Sequence, residues 1–210
     1  MPLIQTVAPA IEPVSLEEAR QHLRIDSDFQ GDDGLIGMII SAARRAAENI
    51  TSRSLITQQW RLVLDAFPGP SLMGVPPGKS YSLPNHGIQL DRGTVQSIDS
   101  IQYQAMNGQW YTMSASDYAA DLSGCPARIT PAFGKIWPIT LPQIGTVKVN
   151  YTAGYGDNAA DVPEGIRHWI LMMVGTCYEN REMVAILSRG KVEQLPFVDG
   201  LLDPYRVVLA

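Results

Sequence analysis

The sequence predicts an α+β protein, a helical core with a small antiparallel β domain inserted between its helices. Three observations carry this expectation. Apolar residues recur at three- and four-residue steps before residue 56 and again after residue 156, but alternate with period two in parts of the stretch between. Charge shifts at the same borders, from net −3 over 1–56 to +1 over 57–155 and −3 over 156–210. Helix-start signals lie in the outer segments, whereas Asn107-Gly108, a strong hairpin turn, lies in the middle one. The expected organisation is an N-terminal helical part at 1–56, an inserted β domain at 57–155, a long C-terminal helix within 156–185 and an extended C-terminal arm at 186–210.

Each element has its own local signal. Ser15-Leu16-Glu17-Glu18 has the form of a capping box and opens a short helix ending near Leu23. After the acidic loop Asp26–Asp33, either final aspartate can cap a second helix, because a carboxylate there meets free backbone N–H groups. Leu35, Ile36, Ile39, Ile40, Ala43, Ala46, Ala47 and Ile50 give that helix one apolar face, with Arg44, Arg45 and Glu48 placed elsewhere on the wheel. Trp60, Leu62 and Leu64 then alternate as a strand. Residues 67–87 are rich in Pro and Gly and read as a long loop, or as one hiding a short strand. Further strands are expected at 94–104, 109–113 and around Val147, Val149 and Tyr151. Asp161-Val162-Pro163-Glu164 opens the last helix, whose stripe of Ile166, Trp169, Ile170, Met173, Val174, Cys177 and Tyr178 runs to about Glu182.

Composition removes several classes of function. The chain has 210 residues and 23.0 kDa, long enough for a substantial core. Its 45% hydrophobic content argues against disorder. A net charge of −5 and pI near 5.1 argue against a dedicated nucleic-acid binder. The longest strongly apolar run, Trp169–Val174, is far short of the roughly 20 residues of a membrane span. Met1-Pro2-Leu3-Ile4-Gln5 lacks a secretion signal, and two distant cysteines make no disulfide framework, so a soluble chain made in a cytoplasm is expected. Only 18% of residues are charged, against roughly 25% in an average domain. An under-charged folded chain suggests that part of its surface is covered.

A search for chemistry finds no catalytic residue, metal site or cofactor site. His22, His86 and His168 have no second ligand at metal spacing. The loop from Asp26 begins like a calcium-binding loop but has Gly37 where the bidentate glutamate belongs, which leaves a solvated loop and a cap. Gly154-Tyr155-Gly156 lacks the third glycine of a phosphate-binding fingerprint. Cys177 reads as a core thiol and Arg44-Arg45 as a solvated helix face.

In order along the chain, Val14-Ser15-Leu16-Glu17-Glu18-Ala19, His22-Leu23-Arg24-Ile25-Asp26, Asp32-Asp33, Ala42-Ala43-Arg44-Arg45 and Glu48-Asn49-Ile50-Thr51 form one part of a pattern. Leu55-Ile56-Thr57-Gln58-Gln59-Trp60, Trp137-Pro138, Tyr151-Thr152-Ala153-Gly154-Tyr155-Gly156, Val162-Pro163-Glu164, Tyr178-Glu179-Asn180-Arg181-Glu182 and Leu201-Leu202-Asp203-Pro204-Tyr205-Arg206 complete it. The ordered set resembles the head–tail connector (adaptor, or head-completion) proteins of tailed bacteriophages and prophages. The resemblance implies a non-enzymatic virion protein with a helical-bundle core, whose longer members carry a β insertion. It also implies a ring beneath the portal, dodecameric in the virion, that extends the DNA channel and docks the next neck or tail-completion protein. DNA would pass without sequence-specific binding, no membrane would be involved, and the subunit would wait in the host cytoplasm before assembly.

On that footing the helices at 33–53 and 163–182 should pack through their apolar faces and use the remaining faces between subunits. The interface candidates are Arg44, Arg45, Trp169, Tyr178, Arg181, Leu201, Leu202, Tyr205 and Arg206. Trp169 and Tyr178 lie on the apolar stripe and can equally be core. The tail is expected to be a portal- or neighbour-binding arm whose removal leaves folding intact. The rivals are another neck protein (stopper or tail-completion), a soluble binding module unrelated to phage, and a small metal-dependent hydrolase using Asp26, Asp28 or His168.

Overall fold

The computed structural model describes residues 2–26, 28–68, 87–180 and 200–207, and the chain divides into two compact units. The first holds the described residues of 2–8 and 58–154, the second those of 9–57 and 155–207. The architecture is α+β, and the described residues form three α-helices and two antiparallel sheets.

The β unit contains β1 (Leu3–Val7), β2 (Gln58–Leu64), β3 (Ile88–Leu90), β4 (Val95–Gln104), β5 (Trp110–Thr112), β6 (Tyr118–Asp121), β7 (Ala127–Pro131) and β8 (Val147–Ala153). A five-stranded sheet runs β1-β2-β8-β4-β5, and a three-stranded sheet runs β3-β7-β6. At the centre of the larger sheet Trp60 faces Tyr151, Leu62 faces Val149 and Leu64 faces Val147. All six are buried, because alternate residues of a strand share one face. Ile88 opposite Ile129 and Leu90 opposite Ala127 bring the small sheet into the same core. The other face of the large sheet is polar. Arg61 Nε donates to Asn150 Oδ1 at 2.8 Å, Asn150 Nδ2 donates to Ser100 Oγ at 2.8 Å, and Lys148 Nζ sits 4.0 Å from the Trp110 ring centroid. Asn107-Gly108 turns the β4–β5 hairpin as expected, with Gly108 at φ +78°, which a side chain would disfavour.

The second unit holds α1 (Leu16–Leu23), α2 (Asp33–Thr51) and α3 (Glu164–Glu179), which pack on one another. Ser15 closes the capping box with Glu18: Ser15 N–H donates to Glu18 Oε2 at 2.8 Å, and Glu18 N–H donates to Ser15 Oγ at 3.1 Å. The core joins Ile36, Ile40, Ala43 and Ala47 of α2 to Ile166, Trp169, Ile170 and Val174 of α3. No helix among the described residues is long and apolar enough to cross a membrane.

The structure departs from the sequence-based expectations at several points. β1 belongs to the β unit, although 1–56 reads as helical, because Leu3–Val7 pairs with β2 from 55 residues away. β3, β6 and β7 were not expected either: each has only three to five residues, too few for a clear alternation. Arg44 and Glu48 are buried, so the inward stripe of α2 includes two charges that the wheel placed outside. Cys177 is exposed rather than a core thiol, since the stripe of α3 passes through Ile170 and Val174. Asp161 accepts from the backbone N–H of Asn158 at 3.0 Å and caps a short 3₁₀ turn, while α3 begins after Pro163. The Pro-rich loop, within 69–86, and residues 181–199 lie outside the described residues.

Candidate interface surfaces

Most of the residues expected at an interface are engaged inside the helical unit. Arg44 pairs with Glu12 at 2.7 Å and with Glu48 at 2.9 Å, and Glu48 Oε1 also accepts the Leu55 N–H at 3.1 Å. A buried guanidinium is costly unless carboxylates pair with it, so Arg44, held by Glu12 and Glu48, ties α2 to its flanking segments and is not an exposed contact. Arg45, its neighbour, is exposed. Trp169 is a core side chain, only 2% exposed. Tyr178 is half-buried, and its hydroxyl donates to Asp32 Oδ2 at 2.6 Å. That bond takes the carboxylate away from the start of α2, which has no side-chain cap.

The end of the chain is also folded in. Leu202 is fully buried in the helical core, with Leu201 and Tyr205 packed against it. Arg53 Nε donates to the Tyr205 carbonyl at 2.5 Å, Val207 N–H donates to the Thr51 carbonyl at 2.9 Å, and the Tyr205 ring lies over Gly165. Residues 200–207 are therefore part of this unit and not a loose arm, because Leu202 finds an apolar site there. Arg206 is exposed and pairs with Asp203 at 3.1 Å, while Arg181 lies outside the described residues.

The acidic loop is organised by a cation of the chain itself. Arg20 donates to the carbonyls of Asp26 (3.2 Å) and Phe29 and pairs with Asp33 at 3.6 Å. Among the described residues no three His, Cys, Asp or Glu side chains are grouped to hold a metal ion. Hydrogen bonds from the Ser15 backbone and side chain, aided by Arg167, hold the Glu18 carboxyl below its usual range. Burial pushes the Tyr151 phenol well above its usual range, with the Asp91 carboxylate adding to the effect. Its hydroxyl donates to the Asp91 carbonyl at 2.5 Å.

Sequence reasoning named no individual contact residue in the β unit, yet that unit carries the largest exposed apolar side chains. Between β7 and β8, Phe133 is 106% exposed, Ile136 85%, Ile139 78% and Ile144 88%. The segment is fixed from beneath. Trp137 is buried and stacks on Phe67 at 4.7 Å, and Leu141 N–H donates to the Gln104 carbonyl at 2.9 Å. Gly145 N–H donates to Asp65 Oδ1 at 2.9 Å. The available signal was compositional: Lys135 is the only charge between Ala132 and Gly145.

The fold is thus two compact units, one of helices and one of antiparallel sheets. Residues 13–123, more than half of the chain, match the phage gp6-like head-tail connector protein family, and the chain belongs to that family. It is a structural connector of the head–tail junction. The fold is shared with a chain from the neck of an empty gene transfer agent (GTA) particle computed with C6 symmetry, at TM-score 0.76 and 23% identity. A chain of the native GTA virion gives 0.76 and 21%, and one from the native GTA neck computed with C12 symmetry gives 0.67 and 22%. Each comparison covers 100% of this chain and 97% of the other. No protein of curated function matches the sequence.

Proposed function

We propose that this connector forms a ring beneath the portal, extends the DNA channel and docks the next neck or tail-completion protein, without catalysing a reaction. The helical unit is the bundle core of the connector, and the β unit is its insertion. The observation that carries this is the match over the whole chain, both units included, to proteins of symmetric necks. A net charge of −5 suits a channel wall past which DNA slides, because such a surface does not collect phosphates. Arg45 and Arg206 present charge at the surface of the helical unit, and with the half-buried Leu201, Tyr205 and Tyr178 they form its subunit or portal contact. Arg181 and residues 186–199 supply the rest of the portal-binding region. The subunit is made in the host cytoplasm and becomes part of the virion on assembly.

Co-sedimentation of the full chain with purified portal tests this. The expected result is a portal peak carrying the chain in a fixed ratio. A chain that stays in the light fraction at every concentration overturns the proposal.

A further inference from the structure

We infer that the segment 132–145 is a preformed docking surface for a second copy of this chain, which receives it at the edge strand β1. The inference rests on the ring proposed above and names the surface that closes it.

Four large apolar side chains on a mobile loop would fold back onto the protein to escape water. Here they do not, although the backbone beneath them is held at Trp137, Leu141 and Gly145. Phe133, Ile136, Ile139 and Ile144 together expose on the order of 600 Å² of apolar surface. A standard interface buries about 800 Å² on each partner, so these residues nearly supply one side. The segment carries a single charge, Lys135, and that is answered by Asp117 within the subunit at 3.5 Å. An apolar, internally neutralised surface suits another protein surface of the same kind and offers nothing to DNA.

The same unit supplies a receptor. Among the described residues β1 is an edge strand of the five-stranded sheet, paired with β2. Its sequence, Leu3-Ile4-Gln5-Thr6-Val7, contains no charge and no proline, two of the devices that keep an edge from pairing, and its register with β2 shifts between Gln5 and Val7. Ile4 and Val7 on it are exposed. One chain thus offers two different, uncharged, apolar surfaces. That is what a head-to-tail contact needs, since each subunit of a ring gives one surface and receives the other.

Cross-linking tests this on the full chain, in a Cys125→Ser, Cys177→Ser background carrying Ile136→Cys and Val7→Cys. A short bis-maleimide should give a ladder of covalent multimers on a denaturing gel, from free protein or from protein bound to purified portal. Either single cysteine alone should stay monomeric, because the facing position on the neighbour then carries no thiol. In the unmodified background, Phe133→Ser with Ile136→Asn should raise at least tenfold the concentration needed for self-association, measured by sedimentation. Met38→Ser, which removes an exposed methionine of α2, should leave that concentration unchanged. No ladder in either sample, or cross-links only to the portal, overturns the inference while portal binding itself upholds the connector. Loss of portal binding in the unsubstituted chain counts instead against the ring.

Discussion

The helical unit and the β unit treat their conspicuous residues in opposite ways. In the helical unit Arg44 and Trp169, residue types that often dominate interfaces, are turned inward with Leu202: Arg44 is paired with carboxylates, and the two apolar side chains are packed in the core. In the β unit, Phe133, Ile136, Ile139 and Ile144 are turned outward on a fixed backbone, covered by none of the described residues. Residue type alone therefore does not locate an interface. The distinction lies in whether the subunit itself offers each side chain a partner.

Stability measurements can break that contrast. The largest effect is expected for Trp169→Ala, about 4 kcal/mol, because removing a core indole leaves a cavity that helices close only in part. Arg44→Ala should cost about 3 kcal/mol by leaving Glu48 buried without its main counter-charge. Leu202→Ala should cost about 3 kcal/mol as well. A loss under about 1 kcal/mol there would return residues 200–207 to a loose arm. Two units need not unfold together, so hydrogen exchange of α2 and α3 is the appropriate readout.

Smaller effects sharpen the comparison. Tyr178→Phe removes the bond to Asp32 and should cost about 1.5 kcal/mol, read as faster exchange at the start of α2. Glu18 provides a pH dependence. Its folded carboxyl titrates below its ordinary value, so its contribution is complete above the ordinary carboxylate range and is lost as pH falls through the lowered value. Exchange at the start of α1 should rise over that window, and Glu18→Gln should flatten the rise. Smallest of all, Phe133→Ser should leave the unfolding free energy within about 0.5 kcal/mol of the parent, because an exposed side chain has little to lose on truncation.

Where the fold was legible in the sequence, a physical period was present. The alternation of Trp60, Leu62 and Leu64 and of Val147, Val149 and Tyr151 marks the two central strands, and Ser15 with Glu18 marks the start of α1. β1 was not legible because an edge strand with exposed residues has no buried face to impose alternation. The burial of Arg44 was hidden because Glu12, which neutralises it, is 32 residues away and only the fold brings them together. Leu202 looked unpartnered for the same reason: its site is built from helices far away in sequence. The segment 132–145 announced itself only as a lack of charge, since composition shows that a surface is apolar but not which side chains stay outside.

The central claim is that this connector acts as a ring on the portal, and imaging tests it most directly. Electron microscopy of purified portal incubated with the full chain should show added density coaxial with the portal, divided into a fixed number of subunits around an open channel. Portal particles that stay bare, or that carry scattered single copies with no ring, would contradict it.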